Sequence, residues 1–129
     1  MKVVYVVGPY TGETHDSRSH FEISRHILDA SEMARALCEQ GIGYFCPHLH
    51  GAHFESIAPD VKPNYWYELD NFFLDFCHAG LFLPAWGKST GSRDEHQRLK
   101  DQGKPIFFAR HTGKVPEDLL KWAKGGSNG

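Results

Sequence analysis

Glu95, Asp70 and Tyr10 are the side chains whose types and settings could do chemistry in this chain. Glu95 ends the segment Trp86-Gly-Lys-Ser-Thr-Gly-Ser-Arg-Asp-Glu95, which follows the apolar run Leu81-Phe-Leu-Pro84. An apolar strand there runs into a Gly/Ser-rich turn, and the turn opens a helix. The first N–H groups of a helix and its partial positive charge suit an anion such as phosphate. Gly91 and Glu95 are four apart and share a helix face, so a ligand can lie against the Gly91 backbone with Glu95 beneath it. Asp70 falls inside another predicted helix, on the turn after Trp66 and Tyr67, and Tyr10 follows the first predicted strand. Two carboxylates and a tyrosine are the set that cleavage at a sugar anomeric carbon requires. One carboxylate attacks or shields an oxocarbenium-like centre, another group handles the proton of the leaving group or water, and a tyrosine hydroxyl orients the nucleophile.

Each of these residues has a plainer explanation. Ser92-x-x-Glu95 also fits a capping box, in which Glu95 only bonds back to the Ser92 N–H. Asp70 fits a solvated helix residue and Tyr10 a turn aromatic. Gly87-Lys-Ser89 looks like the end of a phosphate-loop motif, but Phe82 stands where that motif needs its first glycine.

The elements that must position these groups are legible from periodicity. Val3–Val7 is a β-branched and aromatic run, as in a strand buried on both faces. A helix is predicted over 21–40, with Ile23, Ile27, Ala30, Ala34 and Leu37 at helical spacing and Gly41 as its stop. Strands are predicted over 42–46, 79–83 and 105–109, and helices over 64–77, 89–102 and 116–123, the last begun by Pro116. In the second helix Trp66, Leu69, Phe73 and Phe76 are expected on one buried face. The segment from His48 to Pro63 reads as a long loop without structure of its own, a kind that tends to be functional or mobile.

Strands alternating with helices argue for an α/β fold: a small flavodoxin-like or Rossmann-like three-layer sandwich. Its parallel sheet has four strands, five at most, in the order 2-1-3-4. Ligands bind such sheets at the carboxyl ends of the strands, where strand order reverses. Here that point lies between strands one and three, so the turns Gly8–Gly12 and Pro84–Thr90 converge on one rim, with Cys46–His53 on the same edge. This convergence favours chemistry over capping for Glu95.

The 129 residues suffice for one domain, assigned to 1–124, followed by a Gly/Ser-rich flexible tail at 125–129. A net charge of −2 offers no broad basic face for a nucleic acid polymer. The apolar runs are too short to span a bilayer, and the chain start is too short and strand-like for a signal peptide. Cys38, Cys46 and Cys77 are odd in number and widely spaced, which argues against a disulfide framework and for a reducing, cytoplasmic setting. All three read as small buried residues.

His48, His50 and His53 lie close together beside Glu55 and Asp60. Such a cluster could bind zinc and activate water, but the spacing matches no standard zinc motif. The preferred expectation is no metal, with His48 directed into the cleft. Trp86 is the first choice to stack on a nucleobase and Phe54 the second, with packing under the third helix as the alternative for Trp86.

Val-Val-Tyr-Val-Val-Gly-Pro-Tyr at the start, Pro47-His48, Asp70 and Leu-Pro-Ala-Trp-x-x-Ser89-x-Gly91-x-x-x-Glu95 together resemble the nucleoside 2-deoxyribosyltransferase superfamily. That superfamily includes the 2′-deoxynucleoside 5′-monophosphate N-hydrolases. The likeness spans about residues 2–109 and is closest to a short, often phage-borne branch. It implies Glu95 as a nucleophile that forms a glycosyl ester, Asp70 as the residue that assists the leaving base or positions the sugar, and Tyr10 as the hydrogen-bond partner of the nucleophile. It implies substrate contacts from Ser89, Gly91 and Ser92, and from the first turn with Gly8, Pro9, Thr11 and Gly12. That turn is Ser/Arg-rich in the hydrolases, where it grips a phosphate; here Arg18, Ser17 and His15 are the candidates for that task. His78 stands where an acidic residue is expected before the third strand, and the cross-subunit carboxamide of the transferases has no counterpart beyond a lone Asn128. The resemblance further implies no cofactor and a homodimer or larger homo-oligomer. The other class open to the chain is a non-catalytic nucleotide-binding module, since one fold serves many functions.

Overall fold

The computed structural model describes residues 1–10 and 20–125. The strands are Val3–Val7 (β1), Gly43–Phe45 (β2), Ala79–Phe82 (β3) and Ile106–Phe108 (β4). They form one all-parallel sheet in the order β2-β1-β3-β4. The helices are His20–Glu39 (α1), Pro47–His50 (α2), Phe54–Ile57 (α3), Pro63–Phe76 (α4), Thr90–Asp101 (α5) and Glu117–Gly125 (α6), with one 3-10 turn at Trp86–Lys88.

The two-residue period of β1 divides the core between the faces of the sheet. Val4 and Val6 pack with Ala30, Met33 and Leu37 of α1 and Leu119 of α6. Tyr5 and Val7 face the other way, onto Leu74 of α4, Leu99 of α5 and Phe82. Helices therefore cover both faces, as the near-continuous apolar strands require. Gly41 and Gly103 end α1 and α5 at φ +72° and +68°, a backbone that glycine adopts without steric cost.

Four expectations need correction. The segment 48–63 is not an unstructured loop: Pro47 starts the short helix α2, and α3 follows from a left-handed His53 (φ 61°). Phe76 is 72% exposed; the buried positions at the end of α4 are Leu74 and Cys77, because these are the ones turned to the sheet. Cys38 is exposed on α1, while Cys46 and Cys77 are buried. The last helix runs to Gly125, one residue into the expected tail.

Gly80 sets how closely α5 approaches the sheet. A Cβ at this position would stand 2.3 Å from Leu99 Cδ1, within the core between β3 and α5. Gly80→Ala should therefore overpack that layer and lower stability by about 1–3 kcal/mol in denaturant unfolding.

Candidate active site

β1 ends at Val7, and the chain turns through Gly8, Pro9 and Tyr10 at the rim where strand order reverses. Two imidazoles strap this turn. His48 Nε2 donates to the Pro9 carbonyl at 2.7 Å, and His26 Nδ1 donates to the Tyr10 carbonyl at 2.8 Å. A carbonyl only accepts, so each of these nitrogens carries the proton. His48 is almost fully buried, and burial pushes its pKa down to about 4, so the ring is neutral.

On the other side of the rim, β3 runs through Pro84 into a strained turn with Ala85 at φ 67°. Ser89 caps α5: its Oγ accepts the Ser92 N–H at 3.2 Å. Arg93 reaches back to the Gly87 carbonyl at 2.7 Å and to Thr90 Oγ1 at 3.2 Å, which braces the turn. Since Ser89 supplies the cap, Glu95 is not used in a capping box.

Glu95 instead reaches the sheet. Its Oε2 accepts the hydroxyl of Tyr5, from the middle of β1. The residue bonded to Glu95 is thus Tyr5 and not Tyr10, which corrects the role implied for Tyr10. Tyr10 donates to Glu55 Oε1 at 2.7 Å and accepts the His53 N–H at 2.9 Å, so its hydroxyl is committed to α3. The sequence held a signal for Tyr5: it is the one residue of β1 with a polar tip, and a buried tyrosine hydroxyl needs a partner.

These groups line a cleft of about 440 Å³, a size that suits a small ligand. Glu95, Asp70, Tyr10, Gly8, His48, Ser89, Gly91 and Ser92 all border it. Trp66, Tyr67, Phe54, Glu55, Asp60 and Lys62 complete much of the wall; of these the sequence offers only Phe54 as a base contact, with Glu55 and Asp60 noted beside the histidines and Trp66 as core. A Cβ on Gly91 would come within 3.3 Å of the Tyr67 ring, so the helix start and α4 close on each other there. Thr11, Gly12 and Arg18 lie outside the described residues. Trp86 does not border the cleft. It stacks on His96 (centroids 4.8 Å apart, planes at 19°) and meets Phe82 edge-on at 5.0 Å, so packing and not base stacking is its role.

The neighbouring histidines diverge. His50 packs against Phe45 and Phe73, and His53 Nδ1 sits 3.6 Å from Glu55 Oε2. Among the described residues no group of three His, Cys, Asp or Glu side chains is placed to hold a metal ion. His78 is occupied structurally: its Nδ1 accepts the Val3 N–H at 2.9 Å, and its own N–H donates to the Val3 carbonyl at 2.8 Å. Among the described residues no helix is long and apolar enough to cross a membrane.

The electrostatics follow from burial. Burial pushes the Glu95 carboxyl up to about 8; the Tyr5 bond pulls it partly back, and the charges of Asp70 and Asp94 push it further up. Burial raises Asp70 to about 6. Tyr5 lies far above the usual phenol range, through burial first and then the charges of Glu95 and Asp70, so it remains a donor at any working pH. Carboxyls with pKa values raised by burial concentrate at functional sites.

The family described as a domain of unknown function, DUF1937, matches residues 2–111. The chain belongs to the DUF1937 family. The match takes in all four strands and every cleft residue named above, and α6 lies beyond it. No curated protein matches the chain.

The folded-state pKa of Glu95 lies above that of an ordinary glutamate, so the folded DUF1937 domain holds this proton more tightly than the unfolded chain. Stability linked to Glu95 is present at acid pH and is lost as pH rises toward about 8. Glu95→Gln should raise the thermal midpoint by roughly 3–10 °C at pH 8 and change it little at pH 5, as read by circular dichroism melts at both pH values.

Proposed function

We propose that this protein cleaves the N-glycosidic bond of a nucleoside or its 5′-monophosphate, with Glu95 as the nucleophile. The observation that carries this proposal is the Glu95 carboxylate in the cleft, with one oxygen held by Tyr5 and a second buried carboxyl, Asp70, bordering the same space. The Tyr5 bond fixes Oε2 and leaves Oε1 to attack the anomeric carbon. The likeness to nucleoside 2-deoxyribosyltransferases supports the same assignment from sequence.

The proposed steps balance as follows. Glu95 Oε1 bonds to C1′ while the C1′–N bond breaks and its electron pair leaves with the base. Asp70 supplies the proton that the departing base nitrogen needs. The resulting ester is released by water, which gives the free sugar, or by a second base, which gives a new nucleoside. Ser89 and the N–H groups of the first turn of α5 hold the 5′ end of the sugar. By the same resemblance the protein works as a homodimer or larger assembly.

The test is a chromatographic assay of base release over ribo- and deoxyribonucleosides and their 5′-monophosphates. Glu95→Ala should lose about 10³-fold or more in turnover while keeping its fold. Unchanged release by that variant would end the proposal.

The pH profile of kcat/KM should be bell-shaped, with limbs near about 6 and about 8, the values to which Asp70 and Glu95 are raised. Below the first limb both carboxyls hold protons and none can attack; above the second both are ionised and none can protonate the base; between them the pair shares one proton, and the working form, with Glu95 ionised and the proton on Asp70, is the minor one because Glu95 has the higher value. The two limbs belong to the pair as a unit. Tyr5→Phe removes the bond that lowers the Glu95 pKa, so its upper limb should move to higher pH. Its kcat should fall about 10²-fold, as when one oriented donor is lost. An unmoved profile would separate Tyr5 from the chemistry.

A further inference from the structure

The cleft carries three buried side-chain atoms without a hydrogen-bond partner: His48 Nδ1, Glu55 Oε2 and Ser92 Oγ. Among the described residues these are the unpaired ones, and all three belong to residues that border this one space. Buried polar groups are nearly always paired, so a cluster of exceptions at a cleft points to a ligand that completes them.

The chemistry of the three atoms differs. Ser92 Oγ can donate or accept, so it does not discriminate. His48 Nδ1 can only accept, because Nε2 carries the proton to the Pro9 carbonyl. Glu55 Oε2 can only accept while the carboxyl is ionised; its sister oxygen already takes the Tyr10 hydroxyl, and His53 Nδ1 stands 3.6 Å from Oε2, beyond hydrogen-bond reach. The Tyr10 ring joins the two residues, since it lies edge-on to His48 with centroids 5.5 Å apart and bonds to Glu55. This end of the cleft is walled by flat side chains: Tyr10, His48, Phe54 and Trp66, the last two edge-to-face at 5.4 Å. Its surroundings suit a planar ring, and its unpaired atoms at His48 and Glu55 ask for N–H donors.

We propose that this aromatic end is the nucleobase subsite, and that Glu55 and His48 select bases with an exocyclic amino group over bases with only oxo groups. The proposal rests on the glycosidase assignment for its ligand class and adds the base preference to it. An amino group offers N–H donors to acceptors of this kind, where an oxo group offers only lone pairs. An oxo group at the same place sets a lone pair against the Glu55 carboxylate and leaves both acceptors unpaired, and sites built to bond a polar group discriminate strongly against analogues that lack it. Glu55 is a specificity residue held in place by Tyr10, away from the reacting bond.

The test reads binding, so that it stands apart from turnover. Titration calorimetry would compare deoxyadenosine with deoxyinosine, and deoxycytidine with deoxyuridine, on protein with wild-type Glu55 and on Glu55→Gln, both carrying Glu95→Ala so that no base is released during the titration. Protein with wild-type Glu55 should bind the amino member of each pair about 10- to 100-fold more tightly. In Glu55→Gln an amide N–H replaces the acceptor, so the preference should vanish or invert, whereas a merely structural Glu55 would weaken all four nucleosides alike. Equal binding within the pairs by protein with wild-type Glu55 would overturn the proposal even if the Glu55→Gln variant failed to fold, and so would no binding of any nucleoside. Selective binding without base release by the wild-type protein would sink the glycosidase proposal and leave the subsite standing. Base release without amino preference would do the reverse.

Discussion

The Tyr5 hydroxyl and the Glu95 carboxylate meet between β1 and α5, and most of the site depends on that meeting. A carboxylate brought this far out of water is unstable unless a donor holds it. The donor must be rigid, and a tyrosine in the central strand of a parallel sheet is about as rigid as a side chain can be. The helix must also come close enough to reach it. Gly80 lets Leu99 of α5 seat against β3, and Ser89 and Arg93 fix the turn from which α5 departs. The opposite rim is tied by His26 and His48 at two successive carbonyls. The result is a cleft whose walls are set before any ligand arrives, which is the condition for electrostatic preorganisation.

Stability and activity pull against each other at this point. Glu95 and Asp70 are both raised by burial, so the fold would be easier to keep without their charges. A protein that retains such a pair in a cleft retains it at a cost of the kind expected of working sites. The same holds for the unpaired acceptors at His48 and Glu55 and for the left-handed backbone at His53 and Ala85, which begin α3 and the 3-10 turn.

Much of this was legible in the sequence, and the failures have physical causes. Helical spacing in α1, the β-branched run of β1 and the apolar run of β3 gave the sandwich and its strand order, because those elements bury whole faces and so write their period into the chain. Glu95, His48, Ser89 and Gly91 were expected at the cleft because the rim of such a sheet is known in advance, whereas Asp70 gained its place there through the family likeness. Tyr10 was preferred to Tyr5 because a tyrosine in a turn looks available and one in a strand looks like core. The difference lies in the third dimension: Tyr5 faces α5 through the sheet, while Tyr10 bends toward α3. Trp86 misled for the opposite reason, since its place beside the Ser-Gly turn hid a packing partner in His96, further along the chain in α5. Helices α2 and α3 are four residues each, too short to show a period at all.

The central claim is that Glu95 becomes bonded to the sugar. Intact-mass spectrometry of the protein, quenched in acid during turnover of a nucleoside that releases base, tests it most directly. The account predicts a mass increase equal to the bound sugar residue, mapped by peptide sequencing to Glu95 and absent from Glu95→Ala. Base release at the normal rate from Glu95→Ala, or a sugar adduct mapped to another residue, would contradict it.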